Sequence, residues 1–219
     1  MILPQQSEDL AKAISEKSLR HEAPDTFAYF KLFESSLRNR SGYKKFFRPG
    51  IDPFYSVYNV GEYTFAKYKV LWREVAQDLR AAVSIGDDQP LVPDHTLVMV
   101  SVGSADEAHY VCALLNSAPA NYIVANYVAL HPAPHVLKYI AIRGFDEKSP
   151  QHRTLARLSN EAHVATASDD EKRVKHLEAE IDKVAASMWG ITDNELRVIQ
   201  EASGHPSNSN RGVSEDDEK

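Results

Sequence analysis

The chain has 219 residues, of which 43% are hydrophobic and 26% are charged, and its net charge is −6. This length is enough for a sizeable core in one or two domains, and the composition is that of a globular protein rather than a disordered or membrane-spanning one. The single cysteine, Cys112, excludes an internal disulfide framework. Residues 1–9 have no signal-peptide pattern, so we expect a cytoplasmic protein with no membrane partner.

The first section of the chain has helical periodicity. After Pro24, the residues Phe27, Phe30 and Leu37 recur at helical spacing, and Gly42 is the expected end of this helix. From residue 54 to residue 102 the sequence changes to short runs of β-branched and aromatic residues that are separated by turn signals. This pattern predicts strands.

Two of these strands bear on function. Residues 96–102 are nearly all apolar, which predicts a strand buried on both faces. In residues 63–69, the alternation of a strand would place Tyr63, Phe65 and the two lysines Lys67 and Lys69 on one face.

The second half of the chain is mainly helical. Ser104 and Glu107 have the spacing of a capping box, which predicts a helix start, and residues 119–130 continue as helix. Residues 136–142 are predicted to form one more strand. Further on, Gly190 is the expected cap at the end of a long helix, and a second capping box begins at Thr192.

These elements predict an α+β fold, with a mixed, twisted sheet of short strands bracketed by N-terminal and C-terminal helices. The expected organisation is a helical linker region at 1–42, a sheet-rich core at 43–150, C-terminal helices at 151–202 and a disordered acidic tail at 203–219.

Charge is distributed unevenly along the chain. Residues 38–80 contain nine basic and four acidic residues, a net charge of +5, although the whole chain is acidic. Cations interleaved with aromatic rings suit a nucleic-acid surface, because cations meet phosphates while rings pack on sugars and bases. The alternative is that the rings are core and the lysines are an ordinary solvated face that protects a strand edge.

Five segments resemble one known family, and the resemblance as a whole covers roughly residues 20–200. YNVGEYTF at 58–65 with YKVLWR at 68–73 is followed in order by LLNS at 114–117, IAIRGFD at 140–146, HRTLARLS at 152–159 and MWGITDNEL at 188–196. Together they resemble the C-terminal target-recognition domain of TaqI-like and type IIG adenine-specific DNA methyltransferases of restriction-modification systems. Arg143-Gly144 replaces the Pro-Lys that is common in the family at that point.

The resemblance implies double-stranded DNA as one partner and a catalytic methyltransferase domain or subunit as the other. The cofactor S-adenosylmethionine is expected on that missing part and not on this chain. Asp52-Pro53-Phe54-Tyr55 lacks the second proline of the catalytic loop, so we expect a specificity part, in restriction-modification or phage defence, with no activity of its own. The expected DNA-binding residues are Tyr43, Lys44, Lys45, Arg48, Asn59, Glu62, Phe65, Lys67, Lys69, Arg73 and Arg143, of which Asn59, Glu62, Lys67, Arg73 and Arg143 are candidates for reading bases.

Other functions have weaker patterns. A metal site at His131 and His135 is disfavoured by the prolines between them, and His109 with Cys112 lacks an orienting carboxylate. Pro93-Asp94 and Asp146-Glu147-Lys148 contain the residue types of a nuclease motif, but the two parts of such a motif are separated by far fewer residues. No convergent acid-base set indicates an independent enzyme. The remaining alternative is a protein-interaction module, with incidental DNA contact, that docks a methyltransferase or nuclease chain on a helical face formed by Leu177, Ile181, Val184 and Met188.

Overall fold

A computed structural model describes residues 3–5, 9–74, 76, 78–86, 90–127 and 137–203. The chain divides into two compact units, Met1–Phe65 and Ala66–Lys219. The division falls later than the boundary expected after residue 42, because residues 43–65 pack with the N-terminal helices. None of the described helices combines the length and the apolar character that crossing a membrane requires.

The first unit is built from short helices around an aromatic core. The rings of Phe30 and Tyr55 stack with centroids 5.1 Å apart, and Phe27 meets Phe54 edge to face at 6.4 Å. Burying an aromatic or large aliphatic side chain stabilises a fold by about 1.5–3 kcal/mol. The helices are α1 (Glu16–Glu22), α2 (Pro24–Leu32), α3 (Glu34–Asn39), α4 (Ser41–Phe46) and α5 (Glu62–Phe65).

Gly42 lies inside α4, so the prediction that it ends a helix was wrong. The helical path is instead interrupted at Arg40, whose ψ of 136° is extended. Gly42 gives room to a neighbouring ring: a Cβ at this position would lie 2.7 Å from a ring carbon of Tyr58 and would displace it. The close approach of that ring explains the glycine.

The second unit contains a three-stranded sheet with strand order β2-β1-β3. The strands are β1 (Tyr68–Arg73), β2 (Ala81–Ile85) and β3 (Leu97–Val102), and β1 pairs antiparallel with both neighbours. The predicted α+β class is confirmed. The described sheet is antiparallel throughout, however, and not mixed.

Predictions for individual strands had different outcomes. The strand at 96–102 is confirmed as β3, but it is only half-buried, because Val98 faces the core while Leu97 is exposed. The strand predicted at 63–69 was wrong for its first half. There the Thr64 hydroxyl accepts a hydrogen bond from Gly61 N–H (3.1 Å) and the Thr64 N–H donates to the Gly61 carbonyl (2.9 Å), which closes a helical turn.

Five helices complete the second unit among the described residues. They are α6 (Ala105–Asn116), α7 (Ala118–Tyr127), α8 (Pro150–Ala167), α9 (Glu171–Met188) and α10 (Asp193–Ser203). One side of α6 covers the sheet through Ala108, Cys112 and Leu115, and its other side packs on α8 and α9 through Leu114. The expected strand at 136–142 is not formed by its described part, 137–142, where Ile142 N–H bonds back to the Ile140 carbonyl.

The helix ends predicted in the second unit, at Ser104, Gly190 and Thr192, are present. Ser104 Oγ accepts from Glu107 N–H (3.1 Å), while the Glu107 carboxylate accepts from Gly103 N–H (2.7 Å), one residue before the expected donor. Gly190 has φ +72° after α9, as a helix-terminating glycine requires. At Thr192, both halves of the second capping box form with Glu195. The acidic tail predicted from residue 203 lies outside the described residues, apart from Ser203.

Candidate nucleic-acid interface

The first unit carries an exposed pair of stacked aromatic rings. Phe46, at the end of α4, stacks on Tyr58 with ring centroids 4.5 Å apart and an interplanar angle of 26°. About half of each residue is exposed, 52% and 50% respectively. The amine of Lys45 lies 5.1 Å from the Phe46 ring centroid, and Lys44 is exposed beside it. We call Lys44, Lys45, Phe46, Tyr58 and Asn59 the α4 surface.

Asn59 joins this surface through its backbone conformation. Its φ of +59° lies in the left-handed region, which asparagine tolerates better than most residues. Its side-chain oxygen accepts a hydrogen bond from the Tyr63 hydroxyl (2.8 Å), so its amide nitrogen is directed elsewhere. Nearby in sequence, Glu62 is exposed in α5 and Phe65 is half-buried.

Tyr43 is not a surface residue. Tyr43, Lys44 and Lys45 all lie on α4, but only the two lysines are exposed. Tyr43 is only 2% exposed, and its hydroxyl donates to the Asp52 carbonyl at 2.7 Å. It therefore anchors the following loop and cannot contact DNA as predicted.

Arg48 closes that loop. Its guanidinium donates to both carboxylate oxygens of Asp52, from Nε (3.1 Å) and from a terminal nitrogen (3.0 Å), and its main-chain N–H donates to the same carboxylate (2.7 Å). These bonds, chiefly that from the Arg48 side chain, hold the pKa of Asp52 below its usual value. Between the pair, Pro49 and Gly50 (φ +86°) form a tight turn that leaves Ile51 exposed.

The fold also uses a second arginine of this region. Arg40 donates to the carbonyls of Leu37 (3.0 Å), Phe54 (3.1 Å) and Ser56 (2.9 Å) and so ties α3 to the segment after the loop. Lys44 and Lys45, in contrast, form no ion pair with any residue in the described ranges. They are the cations of the α4 surface that remain available to a ligand.

The predicted basic residues of the second unit do not form one site. Lys69 is 1% exposed, and its amine donates to the Ala66 carbonyl at 2.6 Å, so it cannot reach a phosphate and the prediction is wrong for it. Burial lowers the pKa of Lys69. Lys67 is exposed just before β1, whereas Arg73 ends that strand and shares Asp78 with Arg80. Six residues of strand separate Lys67 from Arg73 by about 20 Å.

Arg143 is exposed, and its carbonyl accepts from the Tyr110 hydroxyl (3.0 Å). Close to it in sequence, Asp146 and Glu147 line an open cleft of about 600 Å³ together with Glu107 and Lys148. A lining with more carboxylates than cations repels phosphates. This cleft therefore does not extend the nucleic-acid surface.

The alternative catalytic sites have structural explanations. Phe54 and Tyr55 are buried in the aromatic core, so the Asp-Pro-Phe-Tyr segment presents no ring to a base. Cys112 is buried, which raises the pKa of its thiol to about 12, and burial followed by the nearby His163 lowers the pKa of His109 to about 4. Both groups are neutral near pH 7, so they form no thiolate-imidazolium pair.

Two alternatives from the sequence are left, the metal site at His131 and His135 and the docking face on α9. No group of three or more metal-binding side chains occurs in the described part of the chain, and His131 and His135 lie outside it. The helical face proposed for protein docking is internal, since Leu177 and Ile181 are buried against α6 and α8. The prediction of an interaction surface there was wrong.

A scan of the chain against models of known protein families finds no match, and a search of curated proteins finds none either. The resemblance to target-recognition domains therefore stays a prediction. Sequence reasoning missed Phe46 and did not count Tyr58 among the contacts. The signal for Phe46 was its place directly after two lysines, in YKKFF at 43–47.

Proposed function

We propose that this chain recognises double-stranded DNA as the target-recognition part of an adenine-specific DNA methyltransferase or restriction-modification enzyme, and that it leaves the methylation itself to a catalytic domain or subunit that binds S-adenosylmethionine. The observation that supports this best is the α4 surface, where an exposed stacked pair, Phe46 and Tyr58, lies beside two lysines that form no ion pair with any residue the structure describes.

The two kinds of side chain have different tasks in this proposal. Lys44 and Lys45 contact backbone phosphates and fix the position of the unit on the duplex, which depends on salt and not on sequence. Phe46 and Tyr58 pack against sugars or unstacked bases, and Asn59 offers an amide to a base edge. Arg48 and Arg40 act indirectly by holding the loop and the segment behind the surface.

The test is fluorescence anisotropy with random-sequence duplex DNA at about 50 and about 200 mM salt. Two phosphate contacts predict that affinity falls about tenfold over this range. The double variant K44A/K45A should bind more weakly at low salt and lose most of this dependence. K172A/K175A removes two exposed lysines from α9 and is the charge-matched control, which should keep both the affinity and the salt slope.

The aromatic pair has its own variant. F46A/Y58A should lose about 1–3 kcal/mol of binding free energy for each base contact while its salt slope stays that of the unaltered chain. Selection from a random duplex pool should then enrich one sequence. Absence of binding at low salt, or equal losses for K44A/K45A and the α9 control, would refute the α4 surface. Binding without enrichment would refute target recognition.

A further inference from the structure

The two edges of the sheet are treated differently by the rest of the second unit. Along β2, side chains from the helices occupy the main-chain groups that point away from β1. Asn116 accepts from Ala81 N–H (2.7 Å) and donates to the Ala81 carbonyl (2.8 Å), and Cys112 Sγ also lies 3.4 Å from that carbonyl. His163 Nε2 accepts from Val83 N–H (3.0 Å). The β2 edge is therefore blocked at Ala81 and Val83.

The β3 edge is open among the residues that the structure describes. Glu74 N–H donates to the Thr96 carbonyl, which fixes the alternation of the β1–β3 ladder. In an antiparallel ladder, every second residue then turns its N–H and C=O away from the neighbouring strand. On β3 these are Leu97, Met99 and Ser101. Within the described ranges, only the N–H of Leu97 among these groups has a partner, the Asp94 carbonyl (3.3 Å).

The sequence of this edge has none of the usual protection against pairing. Natural edge strands carry lysine, proline or a bulge that prevents another strand from adding. β3 is LVMVSV, with three valines, no charge and no proline, and its pairing with β1 is regular from end to end. An exposed edge of this kind is a template for an additional strand.

We propose that the occupant is a second copy of this chain, with β3 pairing antiparallel to β3 across a two-fold axis to give a continuous six-stranded sheet. The main-chain groups that point outwards fix the register: Met99 pairs with Ser101 of the second copy, and Val100 lies opposite Val100. The same register keeps Val98, Val100 and Val102 of both copies on the face that α6 covers.

Pairing between two copies is favoured because β3 carries no charged side chain. At a two-fold axis identical residues meet, so a charged edge would oppose its own charge, whereas β3 brings together uncharged side chains and β-branched cross-strand pairs. Each copy supplies the outward N–H and C=O of Met99 and Ser101, which the other copy satisfies. One strand pair is smaller than a standard interface, so we expect a reversible dimer at micromolar concentrations. This pairing is independent of the DNA-binding proposal.

The test is sedimentation velocity of the full chain from about 1 to about 100 μM, where the dimer fraction should rise with concentration. Met99→Pro removes an outward N–H without removing a bond to β1 and should leave a monomer at all these concentrations. Ile85→Pro is the matched control, because Ile85 also points its N–H outwards but lies on the opposite edge of the sheet, on β2; it should dimerise like the unaltered chain. Circular dichroism establishes that each variant is folded.

Amide hydrogen exchange by NMR tests the pairing without a substitution. The amides of Met99 and Ser101 should become protected as concentration rises, while the Val100 amide, already bonded to β1, should change little. A chain that stays monomeric with no concentration-dependent protection would overturn the proposal. So would a dimer that persists in folded Met99→Pro, since its interface would then lie elsewhere.

Discussion

Asn116 is expected to be a major stabilising residue of the second unit, because it closes the start of β2. It is the last residue of α6, and its side chain binds both main-chain groups of Ala81. In Asn116→Ala, two hydrogen bonds are lost, at about 1 kcal/mol each, and the buried N–H of Ala81 loses its acceptor, which adds about 1 kcal/mol or more. The Cys112 thiol still reaches the Ala81 carbonyl, so we expect a total loss of about 2–3 kcal/mol.

The assay is urea unfolding followed by circular dichroism, with the free energy of unfolding extrapolated to water. Asn126→Ala is the matched control: it also replaces a helical asparagine, but it removes one exposed hydrogen bond, from Asn126 Nδ2 to the Tyr122 carbonyl (2.7 Å). Its expected cost is below about 0.5 kcal/mol, and both variants share the gain in helix propensity. If Asn116→Ala costs no more than Asn126→Ala, the closure of β2 by Asn116 contributes nothing to stability.

Two further predictions concern buried ionisable groups. The pKa of His109 is about 4 in the folded chain and about 6.5 in the unfolded chain. Between these pH values the unfolded state binds more protons. The free energy of unfolding should therefore fall as the pH drops from 6.5 to 4, by at most about 3 kcal/mol. His109→Gln should lose this part of the decline while the exposed-site control His21→Gln keeps it; equal slopes in urea titrations would contradict the assignment. Lys69→Met should raise the free energy of unfolding by about 1–2 kcal/mol, since it removes a buried cation whose amine has one carbonyl partner, and it should leave DNA affinity unchanged. A destabilised Lys69→Met, with Lys67→Met as control, would show that the buried amine is needed.

Signals that act over one helical turn were readable from the sequence. The capping boxes at Ser104 and Thr192 and the glycine at 190 each depend on hydrogen bonds or dihedral angles within four residues. The structure has the Thr192 box and the glycine as predicted, and the Ser104 box with its second bond at Gly103. The apolar run at 97–102 also gave its strand correctly. Its half-exposure was not readable, because burial on the second face depends on which elements cover the sheet.

The candidate site was less predictable, because its residues depend on tertiary packing. Alternation in residues 63–69 fits a strand, yet the bonds between Gly61 and Thr64 select a helical turn, so Lys67 and Lys69 never share a face with Tyr63. The sequence also gives no sign that Tyr43 is buried. The stacking of Phe46 on Tyr58 joins residues twelve apart, and the Tyr58 ring lies against Gly42, a relation that no local pattern contains.

Many of the basic side chains that made residues 38–80 resemble a nucleic-acid surface are bonded or buried within the fold. Arg40 binds three carbonyls, Arg48 binds Asp52 and Lys69 is buried. These three side chains therefore stabilise local structure and contribute little to a positive surface that could attract DNA. On the α4 surface, Lys44 and Lys45 remain, which corresponds to about two phosphate contacts and to weak binding at physiological salt. If the chain does recognise DNA, most of its discrimination must therefore come from Phe46, Tyr58 and neighbouring polar groups. Additional affinity would then have to come from a catalytic partner held on the same duplex, so we expect the loss of either lysine to weaken DNA binding more in the isolated chain than in the presence of such a partner.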